Sequence, residues 1–334
     1  MKHLLPPVAQ YFKANLHAHT TISDGRLTPQ ELKDAYKSKG YSILCLTDHN
    51  VAADHSDMNE PDFLMLTGLE VNTNQTGFHT KMQTYHLNLI AKRPELVWQP
   101  WPCAKPKEDA LPYVAKAVAG KMSNAYNPED VNALIAEANR QGYLVSYNHP
   151  EWSQQNYNDY APLKGLWAME LSNYASSCVG YNDRDNSNVY RDLVKLGNRI
   201  VPLGTDDCHS PRDIGGAWVM IGAEKLEYAS VIEAMERGDL YASTGPEIHG
   251  LVLEGSTLTL RCSDARYVTL ESSTRFARIV QPVHNDGLLR EASFDLTPWL
   301  TAANAAPEDW LRVVVHGPYG HYASTRAYFR DELV

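Results

Sequence analysis

Two hydrophobic rhythms divide this chain. Through about residue 245, apolar runs of strand length alternate with stretches of helical period. Residues 14–17 form a short predicted strand that ends in polar side chains. Thr28-Pro29-Gln30-Glu31 is a helix start, with Thr as N-cap, Pro at the first position and Glu at the third, and the pattern runs to a stop at Gly40. Residues 42–47 (SILCLT) form a buried strand, 63–66 lead into Glu70, and 86–91 (HLNLIA) form another strand. Asn127-Pro128-Glu129-Asp130 caps a helix that ends near Gly142. Strands follow at 143–147, 166–171 and 200–203, then a helix at 230–237 stopped by Gly238. Repeated strand–helix succession predicts an α/β fold of parallel strands joined by crossover helices.

Two stretches break the rhythm. Residues 92–123 carry Trp98, Trp101 and five prolines, and read as an insertion that covers a site. After Gly245-Pro246 come short strands at 248–253, 257–262, 267–271, 277–280 and 311–315, separated by Gly, Asp, Ser or Asn. That texture predicts a small antiparallel β-sandwich. The expected division is 1–245 and 246–334.

Composition narrows the function. In 334 residues, 30 basic against 40 acidic side chains give a formal net charge of −10. Long nucleic acid calls for basic patches and is disfavoured as a partner. A small anionic substrate stays compatible, because bound dications reverse the local sign. With no apolar run of 18 residues and no apolar core to the first residues, the expectation is a soluble, cytoplasmic protein without a membrane partner, unless a leader has been removed. The five cysteines form no CxxC, which argues against a disulfide scaffold.

The thirteen histidines carry more information. His17 and His19 end the first strand and Asp24 follows; Asp48-His49 ends the second; Glu70 ends the third; His86 begins the next; His149 and Asp207-Cys208-His209 end later ones. A parallel α/β sheet aims functional groups from the C-terminal ends of its strands. Imidazoles suit zinc, iron and manganese, and a carboxylate can bridge two ions. One strand-end histidine is usually a hydrogen-bonded loop residue; their succession along the chain predicts a centre of two or three divalent ions (Mn, Zn or Fe).

The segments Asn15-Leu16-His17-Ala18-His19 with Ser23-Asp24-Gly25, Thr47-Asp48-His49-Asn50, Gly68-Leu69-Glu70, His149-Pro150 and Asp207-Cys208-His209 resemble the polymerase-and-histidinol-phosphatase (PHP) superfamily. The ending 237–246 (RGDLYASTGP) is similar to its CehA/McbA-like branch. The resemblance implies a distorted seven-stranded (β/α) barrel followed by a β-rich tail. It implies one ion on His17, His19, Glu70 and Asp207, a second on Glu70, His86 and His149, and a third on Asp24, His49 and His209. His86 is preferred over His79, and Asp207 over Asp206, because they match the family's spacing. Asp24 stands where many relatives have His. Asp48 is expected to orient a ligand, Arg212 (with Arg184 as rival) to hold an anionic group, His209 to protonate a leaving group, and Trp152 and Tyr174 to wall the pocket. The implied activity is hydrolysis of a small phosphomonoester or phosphodiester. The alternatives are a carbamate-ester or amide hydrolase and a non-catalytic binding protein.

Overall fold

The structure is a computed structural model that describes residues 1–8, 10–74, 83–284 and 287–334. The strands, in chain order, are β1 (Lys2–His3), β2 (Phe12–Asn15), β3 (Ile43–Leu46), β4 (Leu64–Asn74), β5 (Thr84–Ala91), β6 (Trp98–Gln99), β7 (Val118–Ala119), β8 (Tyr143–Tyr147), β9 (Ala168–Asn173) and β10 (Val201–Thr205). They continue as β11 (Trp218–Ile221), β12 (Leu240–Ser243), β13 (Ile248–Glu254), β14 (Thr257–Ala265), β15 (Tyr267–Ser272), β16 (Arg278–Val280), β17 (Leu289–Asp295), β18 (Trp310–His316), β19 (Tyr322–Thr325) and β20 (Tyr328–Phe329).

Local chemistry sets the helices that connect them. The helix Pro29–Ser38 opens on a capping box: Thr28 N donates to Glu31 Oε2 at 2.9 Å, and Glu31 N donates back to Thr28 Oγ1 at 3.3 Å. The helix Pro128–Gln141 is capped by Asn127 and ends at Gly142, whose φ of 103° lies in the left-handed region. It buries Val131, Leu134, Ile135 and Ala138, one face at helical spacing, against β8. Each larger apolar side chain so buried contributes about 1.5–3 kcal/mol.

The main sheet runs β10-β9-β8-β5-β4-β3-β2-β11-β12-β19-β18-β15-β16, with β20 beside β18. It is mixed, which corrects the expectation of parallel strands throughout. The pairs β2–β3, β3–β4, β8–β9 and β9–β10 are parallel. The pairs β4–β5, β5–β8 and β2–β11 are antiparallel. Only a short connection separates Asn74 from Thr84, too little for a crossover helix, so β5 returns beside β4.

The sheet curls. Its edge strand β10 comes back against β11, so that a Cβ at Gly204 would lie 2.7 Å from the Trp218 carbonyl oxygen. An isolated bridge joins Ala18, past the end of β2, to Cys208, past the end of β10. Another joins His49 to Glu70. The ends of β2, β3, β4, β8, β9 and β10 and the start of β5 thereby meet at one place.

A second sheet, β1-β13-β14-β17, packs on the other end of the main one. Leu251, Leu253 and Leu260 share a core with Val268, Leu270, Val313 and Val315. Hydrogen bonding is continuous across residue 245, because β12 pairs with β19. Between residues 92 and 123, β6 pairs with β7 and Trp98 is buried beside Tyr143, whose hydroxyl donates to the carbonyl oxygens of Leu96 and Trp98. No helix among the described residues is long and apolar enough to cross a membrane.

Candidate metal centre

Strand ends bring His17, His19, Asp24, His49, His149, Asp207 and His209 together with His86, near the start of β5, and with Glu70, which lies inside β4 and not at its end as the pattern predicted. Their donor atoms fall into four overlapping groups: His17, His19 and Asp207; His17, Glu70 and His149; His49, Glu70 and His86; His19, Asp24, His49 and His209. Residues 75–82, and with them His79, lie outside the described residues.

Glu70, buried on β4, stands between two of these groups. Its Oε1 is 2.9 Å from His86 Nδ1, 3.3 Å from His149 Nε2 and 3.3 Å from His17 Nε2. Its Oε2 is 3.2 Å from His49 Nδ1 and 3.4 Å from His19 Nε2. Asn148 Nδ2 donates to Oε1 at 2.9 Å and fixes the carboxylate plane.

The inner donors are aimed at a common point rather than at one another. His17 Nε2 and His19 Nε2 lie 3.1 Å apart, and each lies 3.1 Å from Asp207 Oδ1. Yet Asp207 Oδ1, although buried, has no hydrogen-bond partner, and neither has His49 Nδ1. A buried carboxylate oxygen without a donor is costly. Edges of about 3.0–3.5 Å are what donors show around a cation with bonds near 2.0–2.2 Å. The donor set therefore fits divalent metal.

The backbone is strained where it presents them. Asp207 has φ 50° and Asn50, next to His49, has φ 56°, both in the left-handed region. Such residues cost about 1–3 kcal/mol each and persist where the surroundings over-determine them. Gly25 has a steric role: a Cβ there would lie 2.2 Å from the His19 carbonyl oxygen, so only glycine lets the Asp24 loop sit on the HxH segment.

Charge in the metal-free cluster is tightly shared. Burial pulls His19 down, but the adjacent carboxylates of Asp207 and Glu70 outweigh it and push its pKa up to about 10. His149 is pushed up to about 9 against burial by Glu70 and Asp207, and His17 rises likewise through Asp207, Glu70 and Glu170. Burial, joined by His19 and His86, pulls His49 down to about 4 against Glu70. Against their own burial, Glu70 and Asp207 are held well below the usual carboxylate range by the surrounding imidazoles.

Asp24 differs from the inner acids. Its side chain is 52% exposed, with Oδ1 3.4 Å from His209 Nε2 and 3.6 Å from His19 Nδ1, and Oδ2 3.6 Å from His49 Nε2. His209 Nδ1 donates to the Asp207 carbonyl oxygen at 2.9 Å.

The Asp48 carboxylate makes no hydrogen bond to the side chains of the other acids or imidazoles of the cluster. Its oxygens accept from Thr20 N and Oγ1 and from Ser23 N and Oγ at 2.7–3.1 Å, and so hold the loop that carries Asp24. Asp206 faces away from the cluster. It accepts from the backbone N–H groups of Gly215, Gly216 and Ala217 and from the Tyr36 hydroxyl, and burial raises its pKa to about 6. Arg212, 75% exposed, lines a cavity of about 260 Å³ with Glu70, His86, His149 and Trp152. The Trp152 ring centroid lies 5.1 Å from that of His86 and 5.0 Å from that of His149. His55 is buried beside Tyr113, apart from the cluster.

Sequence reasoning missed Glu170. Its Oε1 is 2.6 Å from His17 Nδ1 and accepts from Thr205 Oγ1 at 2.7 Å; its Oε2 accepts from His149 N and Asn173 Nδ2, both at 2.9 Å. A lone acid inside the apolar strand 168–173 was the available signal.

Residues 15–174 match the family model of the PHP domain. That stretch includes His17, His19, Asp24, Asp48, His49, Glu70, His86, His149 and Glu170; Asp207, His209 and Arg212 lie beyond it. A 5'-3' exoribonuclease of Haemophilus influenzae is 38% identical over 69 residues, which cover 20% of this chain and 25% of that protein. The match thus spans about a quarter of the curated relative's length. A two-domain protein from Bacteroides vulgatus, described as containing a predicted PHP-like metal-dependent phosphoesterase, is 16% identical and covers 98% of both chains with a TM-score of 0.47. An amidohydrolase from Chromobacterium violaceum is 17% identical, covering 60% of this chain and 89% of its own, with a TM-score of 0.39.

Proposed function

We propose that this chain is a metal-dependent hydrolase of small phosphate esters. The observation that carries the reading is Glu70, whose two oxygens face two different sets of imidazoles, as a carboxylate shared between two cations would. Divalent ions held there supply Lewis acidity and an activated water at neutral pH. The chain's own residues supply the rest. Trp152 walls the cavity at His86 and His149 and limits water. His209, at the mouth, would hand a proton to the leaving oxygen when the Asp24 group holds no ion; burial lowers its pKa, and the Asp24 and Asp207 carboxylates together raise it above the ordinary value. Arg212 supports charge on the phosphoryl oxygens from the rim. Because Arg212 is so exposed, its removal should cost only about 1 kcal/mol, roughly fivefold in rate.

The same reading takes the curled sheet, with β10 against β11, as a distorted seven-stranded barrel and the two facing C-terminal sheets as a sandwich, divided near residue 245. The CehA/McbA-like branch rests on residues 237–246 alone. A net charge of −10 favours a small anion over a long polyanion.

The test is metal analysis of protein purified without chelator, followed by phosphomonoester, phosphodiester and carbamate-ester panels. Turnover of phosphate esters is expected; turnover of carbamates or amides alone would overturn the reading.

A further inference from the structure

A second, larger cavity of about 720 Å³ adjoins the metal centre and shares Asp24 and His49 with the smaller one. Part of its lining comes from the insertion: Trp101, and the segment that carries Lys105 and Lys107. A phosphoryl group fills only a small part of such a volume, which is in the range of sites for ligands of drug size.

The insertion is fastened to the metal loop. Trp101 Nε1 donates to Asn50 Oδ1 at 2.9 Å, and Asn50 Nδ2 donates to Asn72 Oδ1 at 3.0 Å. Asn50 follows His49 directly, and its left-handed backbone turns its amide toward both partners. The indole is half-buried and so presents a fixed planar face. Among the described lining residues the cations are Lys105 and Lys107, and the carboxylate is Asp24 on the metal side. The cavity thus combines metal donors, an aromatic plane and positive charge.

Resting on the phosphoester reading above, we propose that this cavity receives the leaving part of the substrate, and that this part carries a planar group against Trp101 and a second negative charge at Lys105 and Lys107. Such a substrate is anionic at both ends, with the scissile phosphate at the metal centre. Two exposed lysines contribute modestly through solvent, worth about fivefold in affinity together.

The test uses the full chain loaded with manganese and two non-hydrolysable probes, naphthylmethylphosphonate and its ring-sulfonated counterpart, titrated by calorimetry. The sulfonate should tighten binding about fivefold in the parent protein. The gain should vanish in Lys105→Ala/Lys107→Ala, with metal content and the Kd of the unsulfonated probe unchanged. A sulfonate gain that is absent, or that survives in the double variant, would overturn the proposal. Failure of the phosphoester reading shows separately, as absent turnover in the ester panels with the sulfonate gain retained.

Discussion

His17 is gripped from both sides of its ring: Nδ1 lies 2.6 Å from Glu170 Oε1, while Nε2 faces Glu70 and Asp207. A carboxylate behind a ligand histidine fixes its tautomer and raises its basicity. Four donors converge on Glu170, so an amide at this position would turn its NH₂ toward groups that also donate. Glu170→Gln should therefore weaken metal binding about 10–100-fold. Competitive titration against a chelator of known affinity measures this; unchanged affinity would show that Glu170 only fills space.

Glu70→Gln should abolish turnover more completely than Asp24→Asn. Glu70 is buried and shared between two donor groups, whereas Asp24 is half exposed and serves the outermost one. Metal stoichiometry and turnover at saturating manganese decide the ranking, and equal residual rates would reject it.

Metal uptake should release protons at neutral pH. In the metal-free chain His19 and His149 titrate near 10 and 9, so at pH 7 both hold protons that a cation must displace. Apparent affinity should rise with pH up to that range. Calorimetry in buffers of different ionisation enthalpy counts the protons; a count of zero at pH 7 would contradict the cluster's charge state. The same groups affect stability. Their folded pKa values lie above the unfolded value near 6.5, so their contribution is full below about 6.5 and is lost as pH rises through 9–10. The metal-free protein should lose Tm over that window.

Gly25→Ala should disturb the site without touching a donor atom. The new methyl would meet the His19 carbonyl carbon and oxygen, both backbone atoms with little room to give. An overpacking cost of about 1–3 kcal/mol is expected, together with loss of metal at the Asp24 group. Thermal unfolding and metal analysis of the variant check both.

Part of the first 245 residues was legible because helix caps and apolar runs are local signals: Thr28 and Glu31, Asn127 and Gly142, and the runs of β3 and β8 stand where the pattern put them. Strand direction was not legible, because a period of two is the same read either way, and so the reversal of β5 escaped. Short strands such as β11 and β19, each of four residues, offer too little alternation to register. At the site, histidines announced themselves through spacing, whereas Glu170 looked like an exception within a core strand. Asp48 sits in the motif, yet the hydrogen bonds of its carboxylate go to Thr20 and Ser23, a placement no spacing encodes.

The pairing of β12 with β19 has a consequence for how the chain tolerates being cut. Removing everything after residue 245 would strip β12 of its neighbour along Tyr241–Ser243 and leave a row of bare backbone donors and acceptors beside exposed apolar side chains. Unprotected strand edges recruit other chains. The last 89 residues thus cover a strand edge that would otherwise be open to another chain.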